Sequence, residues 1–259
     1  MAETSLEQAL EQVERDADAA VRSLSSALRE AKKVKAAAAT GQLRELRQGL
    51  DVSVRLAQEA AAATRELRSG WTFDEQEHFS SGAYTTEVLA RAAEEGVQVF
   101  ESDERILSYP AIVQVSPADT TVLIDKKKER RIRPSVLVRT LQVLQSKPPK
   151  FKAEAFLEAL ATAYDLVVGK DARPGSTIKL VEVYKVLTVM PGASRDYSKQ
   201  ELARDLYLLD QTGVTVAKDG RTMRLPASAL TRGSGTLTTV TRSGQEKVYA
   251  GISFEGDDR

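Results

Sequence analysis

Leu6, Leu10, Val13, Ala17, Ala20, Leu24, Ala27, Ala31 and Val34 are separated alternately by four and three residues. A spacing that averages 3.5 residues keeps one apolar stripe on one side of a helix, the seam of a coiled coil, and such a stripe needs a second helix to cover it. After "AAAATGQ" the pattern resumes at Leu43, Leu46, Leu50, Ser53, Ala57, Ala60, Thr64 and Leu67 in a different phase. Thr40-Gly41 therefore reads as a break, where helix propensity drops. Residues 1–70 are expected to form an antiparallel coiled-coil hairpin with arms of roughly 30 residues, each about 45 Å long. Much of the seam is alanine, which buries little apolar area, so the hairpin is expected to pack on something else. Leu6, Leu10, Val13, Leu24, Leu43, Leu46, Leu50 and Leu67 are the candidate protein-interface residues, for self-association or for a heteromeric partner.

Charge separates the next part of the chain. The whole sequence balances 37 basic against 37 acidic residues, which excludes a wholly polybasic binder, because non-specific nucleic-acid affinity needs a local positive excess. That excess lies in residues 101–152, with 11 basic and 6 acidic side chains, whereas residues 1–100 hold 12 and 17. Lys126, Lys127, Lys128, Arg130, Arg131 and Arg133 are its core and are candidate contacts to double-stranded DNA; the structural alternative is a solvated hairpin. Around them, residues 71–147 read as a mixed helix and strand segment. "TTEVLARAAEE" is an amphipathic helix stopped by Gly96, and "VQVF", "AIVQV" and "TTVLID" read as strands, with "SPAD" as a turn. Ser135 is the expected cap of the helix "RPSVLVRTLQVLQS". Upstream, "SGWTFDEQEHFSSGAYTTE" holds Trp71, Phe73, Phe79 and the only histidine, His78, beside Glu75 and Glu77. With no second histidine for a two-His zinc site, it reads as a packed linker whose aromatics cover the base of the hairpin.

Catalytic patterns are few. With no cysteine, thiolate metal sites, disulfides and cysteine nucleophiles are excluded. The chain has no phosphate loop, no G-x-G-x-x-G after a strand, no G-x-S-x-G and no H-E-x-x-H. Asp125-Lys126-Lys127 can be written as the D-x-K triplet of a metal-dependent nuclease, with Asp103 or Glu104 as the upstream acid. The triplet is common by chance in lysine-rich sequence, and Asp125 also reads as a strand end. No enzyme, cofactor or metal site is expected.

Residues 148–259 open after "SKPPK", which no helix continues through. "FKAEAFLEALATAYDLVVG" has one apolar helix face, "KDARPGS" is a loop, and "TIKLVEVYKVLTVMPG" is a second helix. "SKQELARDLYLLDQTG" carries a capping box at Ser198 and Glu201 and stops at Gly213. "VTVAKDGRTMRLPAS" is a hairpin turning at Asp219-Gly220, and "GTLTTVTRSGQEKVYAGISF" is a further hairpin. Three helices followed by a β-hairpin resemble a winged-helix domain in element order. The resemblance implies a third helix that can enter the major groove and a wing beside the phosphates. That helix is expected to expose Lys199, Glu201, Arg204, Asp205 and Asp210, a near-neutral face suited to protein rather than bases. The wing offers Lys218, Arg221 and Arg224 as candidate phosphate contacts.

The expected class is thus mainly α with α+β parts: coiled-coil hairpin, mixed middle segment, winged-helix-like domain. The acidic start lacks an apolar signal region and no long apolar run occurs, so a cytoplasmic protein without membrane contact is expected. The functional expectation is a non-enzymatic adaptor subunit in a DNA-associated complex. The alternatives are a sequence-independent DNA binder and, behind it, a metal-dependent nuclease.

Overall fold

The computed structural model describes residues 5–147, 151–169, 175–190, 192–226 and 235–256. These residues are mostly helical, with short antiparallel strands. The chain divides into two compact units, Met1–Glu87 and Val88–Arg259.

In the first unit, α1 (Leu6–Thr40) and α2 (Leu43–Gly70) form the hairpin. Gly41 makes the break in a left-handed conformation, φ 71°, and its N–H closes on the carbonyls of Ala37 and Ala38. Ser5 caps the start of α1 by accepting from the Gln8 N–H. Glu87, on α4 (Ala83–Glu94), accepts from the N–H groups of Leu6 and Glu7, both at 2.9 Å. A carboxylate there satisfies orphan donors and complements the helix dipole. The linker contains a helix that periodicity did not predict, α3 (Glu75–Ser80), capped by Asp74, which accepts from the Glu77 N–H. Phe79 is buried and stacks on the buried Tyr84, centroids 4.4 Å apart.

The seam follows expectation from Leu6 to Ala20, then departs from it at Leu24 and Ala31 in α1 and at every second expected position in α2. Ala20, Ala27 and Val34 face inward as expected, but Ser23 and Glu30 take the places expected of Leu24 and Ala31. In α2, Gly49, Leu56 and Ala63 take the places of Leu50, Ala57 and Thr64, and Leu43 is exposed. The helices close tightly at one point: a Cβ on Gly49 would lie 2.8 Å from Val34 Cγ2. A gap that narrow takes glycine and small residues and expels leucine.

The second unit begins with a five-stranded antiparallel meander: β1 (Phe100–Ser102), β2 (Arg105–Ser108), β3 (Ala111–Ser116), β4 (Thr121–Ile124) and β5 (Lys127–Glu129). The sequence reading missed β2 and β5, whose charged and polar residues mask them. Two connections are two-residue turns with both residues left-handed, Asp103-Glu104 and Asp125-Lys126; asparagine-glycine is the usual signal for such turns. In α5 (Pro134–Gln145) the cap is Arg133, not Ser135, because Pro134 occupies the first helical position, where a missing N–H costs nothing.

Then come α6 (Ala153–Val168), β6 (Ile178–Lys179), α7 (Leu180–Leu187), α8 (Ala193–Asp196), α9 (Lys199–Thr212), β7 (Thr222–Arg224), β8 (Leu237–Val240), β9 (Glu246–Tyr249) and β10 (Gly251–Glu255). Helix α7 ends well before Pro191, and the strand expected before the Asp219-Gly220 turn is one bridge, Val216 to Thr222. The capping box of Ser198 and Glu201 is present. One small sheet has the order β6-β10-β7, and β8 pairs with β9. Residues 148–150 of "SKPPK" and 170–174 of the expected loop "KDARPGS" lie outside the described residues. Leu107, Tyr109 and Ile112 of the meander share one hydrophobic core with Leu157, Leu160, Leu206 and Phe254, so packing runs across residue 148. No helix among the described residues is long and apolar enough to cross a membrane.

Candidate functional site

The basic run is the β4–β5 hairpin and the strand's exit. Lys126 pairs with Glu201 at 3.0 Å, Lys128 with Asp119 at 3.2 Å and Arg131 with Glu129 at 2.8 Å. Hydrogen bonds from Arg131 hold the Glu129 carboxyl down to about 2. Arg133 is half-buried at the start of α5. Lys127 and Arg130 are exposed and make no ion pair among the described residues. In the expected wing, Arg221 is held by Asp165 and Asp219, both at 2.6 Å, and lies over the Phe254 ring. Arg224 pairs with Glu255 at 3.4 Å, and Lys218 is exposed with no ion pair among the described residues. Close spacing in sequence brought these cations together, but carboxylates from neighbouring strands and helices neutralise most of them.

Asp125 Oδ1 accepts from the Ile112 N–H at 3.1 Å and from Arg204 at 2.9 Å. Asp103, the expected upstream acid, accepts from Gln200 Nε2 at 2.6 Å, and Arg105 donates to Gln200 Oε1. Among the described residues, no three His, Asp or Glu side chains are grouped to hold a metal ion. The same contacts correct the reading of α9. Glu201, Arg204 and Asp205 are not exposed; they form an ionic layer against the meander, and only Lys199 and Asp210 of the five stand in solvent. Burial lifts the Asp205 carboxyl above its ordinary range against the pull of Arg204. Burial opposes the Arg204 charge, but Asp205 and Asp125 outweigh it and raise the guanidinium.

On the hairpin, Leu6, Leu10, Val13, Leu46 and Leu67 are buried or half-buried between the helices and their base. Leu24, Leu43 and Leu50 are 51%, 61% and 49% exposed, as are Val21, Leu28 and Val54 to similar degrees. With Ala20, Ala27, Val34 and Leu46, Ser53, Ala60 as one half of the seam, these six fall on the flanking e and b positions of both helices. In antiparallel pairing the e positions of the two helices adjoin, so the six side chains line one face of the hairpin. The sequence reading missed Val21, Leu28 and Val54, although apolar residues at 21, 24 and 28 repeat at helical spacing.

It also missed a cavity of about 370 Å³ at the hairpin's base, lined by Gln8, Gln12 and Val13 of α1 and by Trp71, Phe73, Asp74, Glu77 and His78. Trp71 donates to Glu75 Oε1 at 3.2 Å, and its ring lies 5.7 Å from Phe73, which sits edge-on to His78 at 5.0 Å. His78 Nε2 stands 3.0 Å from Glu87 Oε2, close enough for an ion pair when the ring is protonated, but not in hydrogen-bond geometry. The signal was the acidic and aromatic mixture of residues 71–78.

No family model, no curated protein and no solved structure matches the chain.

Proposed function

We propose that the chain is a non-enzymatic adaptor subunit that joins protein partners in a DNA-associated complex, through the hairpin and a winged-helix-like carboxy-terminal half. The exposed stripe of Val21, Leu24, Leu28, Leu43, Leu50 and Val54 carries the reading, since grouped large apolar side chains on a surface mark interaction sites. The closed end of the hairpin, residues 29–47, holds six basic and two acidic side chains, which suits an apolar partner surface edged with carboxylates. The sheet order β6-β10-β7 behind α6, α7 and α9 supports the winged-helix-like reading. The pairing of Arg204, Glu201 and Asp205 with neighbours favours protein contact over base reading by α9. Replacing Leu24, Leu28 and Leu50 together by Glu is expected to remove the native partners in co-purification and any self-association seen by light scattering. A folded triple variant that keeps every partner and its oligomeric state would sink the reading.

The second reading, sequence-independent DNA binding, rests on Lys127, Arg130 and Lys218, the run and wing cations that are exposed and unpaired among the described residues.

A further inference from the structure

We propose that the cavity at the hairpin's base binds a small organic cation: an ammonium or guanidinium head on a short apolar stem, as in a free alkylguanidine or in a lysine or arginine side chain. The inference does not depend on the adaptor reading.

The cavity's walls set the ligand's chemistry. Its volume of about 370 Å³ lies at the small end of ligand pockets. Trp71 and Phe73 both line the cavity, with ring planes tilted by 41° and not stacked. The negative face of each ring attracts a cation, more strongly once that cation has shed water. Asp74 and Glu77 add two carboxylates, and no lysine or arginine lines the cavity among the described residues. An anion would be repelled here, and a neutral ligand would leave the carboxylates partly desolvated without compensation. Val13 and Ala9 give the stem an apolar wall, and the amide oxygen of Gln8 can accept from the head's remaining N–H groups, whereas that of Gln12 already accepts from Arg15 at 2.8 Å. The site is held in place before any ligand arrives. Asp74 is fixed by the Glu77 N–H at 2.9 Å, Trp71 by Glu75, and α1 by Glu87 at its amino-terminal end. Little ordering cost is then left for binding.

Trp71 is the chain's single tryptophan, so its fluorescence reads this cavity alone. The intact protein is titrated at low salt with n-butylguanidinium, with its neutral isostere n-butylurea, and with a blocked Ala-Arg-Ala tripeptide. A saturable change with n-butylguanidinium is expected, with n-butylurea about tenfold weaker or worse. The double variant Asp74→Asn/Glu77→Gln, which keeps a capping side chain at position 74, is expected to weaken the cation about tenfold. Tripeptide binding at least as tight as n-butylguanidinium assigns the site to a polypeptide side chain; exclusion of the tripeptide assigns it to a free cation. Saturation-transfer NMR of n-butylguanidinium on the unmodified protein gives a readout that no variant's folding affects. The proposal is overturned by the absence of saturable binding in both measurements, by equal affinity for n-butylurea, or by unchanged affinity in a folded double variant.

Discussion

At Gly49, an interior helical position, glycine costs about 1 kcal/mol relative to alanine by propensity, and the chain keeps it because a Cβ would press on Val34 Cγ2 at 2.8 Å. Gly49→Ala is therefore expected to destabilise the hairpin, yet to stabilise a Val34→Ala background by about 1 kcal/mol. Urea denaturation of the four proteins in that cycle checks this; additive effects would mean that the helices do not close there. Glu201 gives a second test at this scale. Burial pushes its carboxyl up, but the Ser198 N–H and the Lys126 ammonium outweigh burial and hold it below its ordinary range. The folded chain thus holds that proton more weakly than the unfolded chain. Its stabilisation is present above the ordinary glutamate pKa of about 4.3 and is lost as pH falls through the lower folded value. Asp205, lifted by burial, works in the opposite sense. Glu201→Gln, which leaves Asp205 in place, is expected to cost up to about 1 kcal/mol at neutral pH and progressively less as pH falls through the folded value, read from urea midpoints across the acid range. A gap that persisted in acid would show that the carboxylate charge is not what Glu201 contributes.

At the scale of elements, the hairpin separates what periodicity can and cannot reveal. Existence, length and the break at Gly41 were legible, because a 3.5-residue repeat and a lone glycine have few other meanings. Two of the nine expected seam positions in α1 and four of the eight in α2 were not; at Leu50 the reading preferred a large apolar residue, whereas close approach to Val34 takes Gly49 instead. The missed strands β2 and β5 fail for a related reason: pairing along a meander, not β-branched composition, holds "RILS" and "KKE" extended. In the candidate site the basic run was legible as charge, but its neutralisation by Glu201, Asp119 and Glu129 was not, since two of those carboxylates come from other elements. Two outcomes follow from this arrangement. Leu24→Glu or Leu50→Glu, at exposed positions, is expected to change stability by less than about 0.5 kcal/mol. Ala60→Glu, at a position only 2% exposed, is expected to cost more than about 3 kcal/mol by burying a charge. Circular-dichroism melts distinguish them, and equal losses would contradict the observed seam. For duplex DNA, three unpaired cations predict a log–log salt slope no steeper than about −3. A steeper slope in filter binding would mean that the ion pairs of Lys126, Lys128 or Arg221 open to phosphate.

For the whole molecule, the division at Glu87 and Val88 sets which pieces can stand alone. The boundary falls inside α4, so a truncation that respects the fold starts at Gly82 and keeps that helix, including the fully buried Val88 and Ala92. Such a chain retains the meander and everything that packs on it. Tyr109 sets its ring edge-on to Tyr207 at 5.3 Å, and Leu107 and Ile112 complete the same core. A shorter chain from residue 148 loses those three side chains, each worth about 1.5–3 kcal/mol of burial, against a total stability of about 5–15 kcal/mol. It also strips Asp125 from Arg204 and Lys126 from Glu201, leaving charges on α9 without their partners. Residues 82–259 are therefore expected to melt in one cooperative transition and stay soluble, while residues 148–259 bind a hydrophobic dye and aggregate. This outcome also decides the hairpin's role. If α1 and α2 are a partner-binding arm, removing them takes away association and leaves the fold; if they are a prop, residues 82–259 aggregate as well. Light scattering and thermal melts of the two truncations separate these cases, and aggregation of residues 82–259 would rule out the arm.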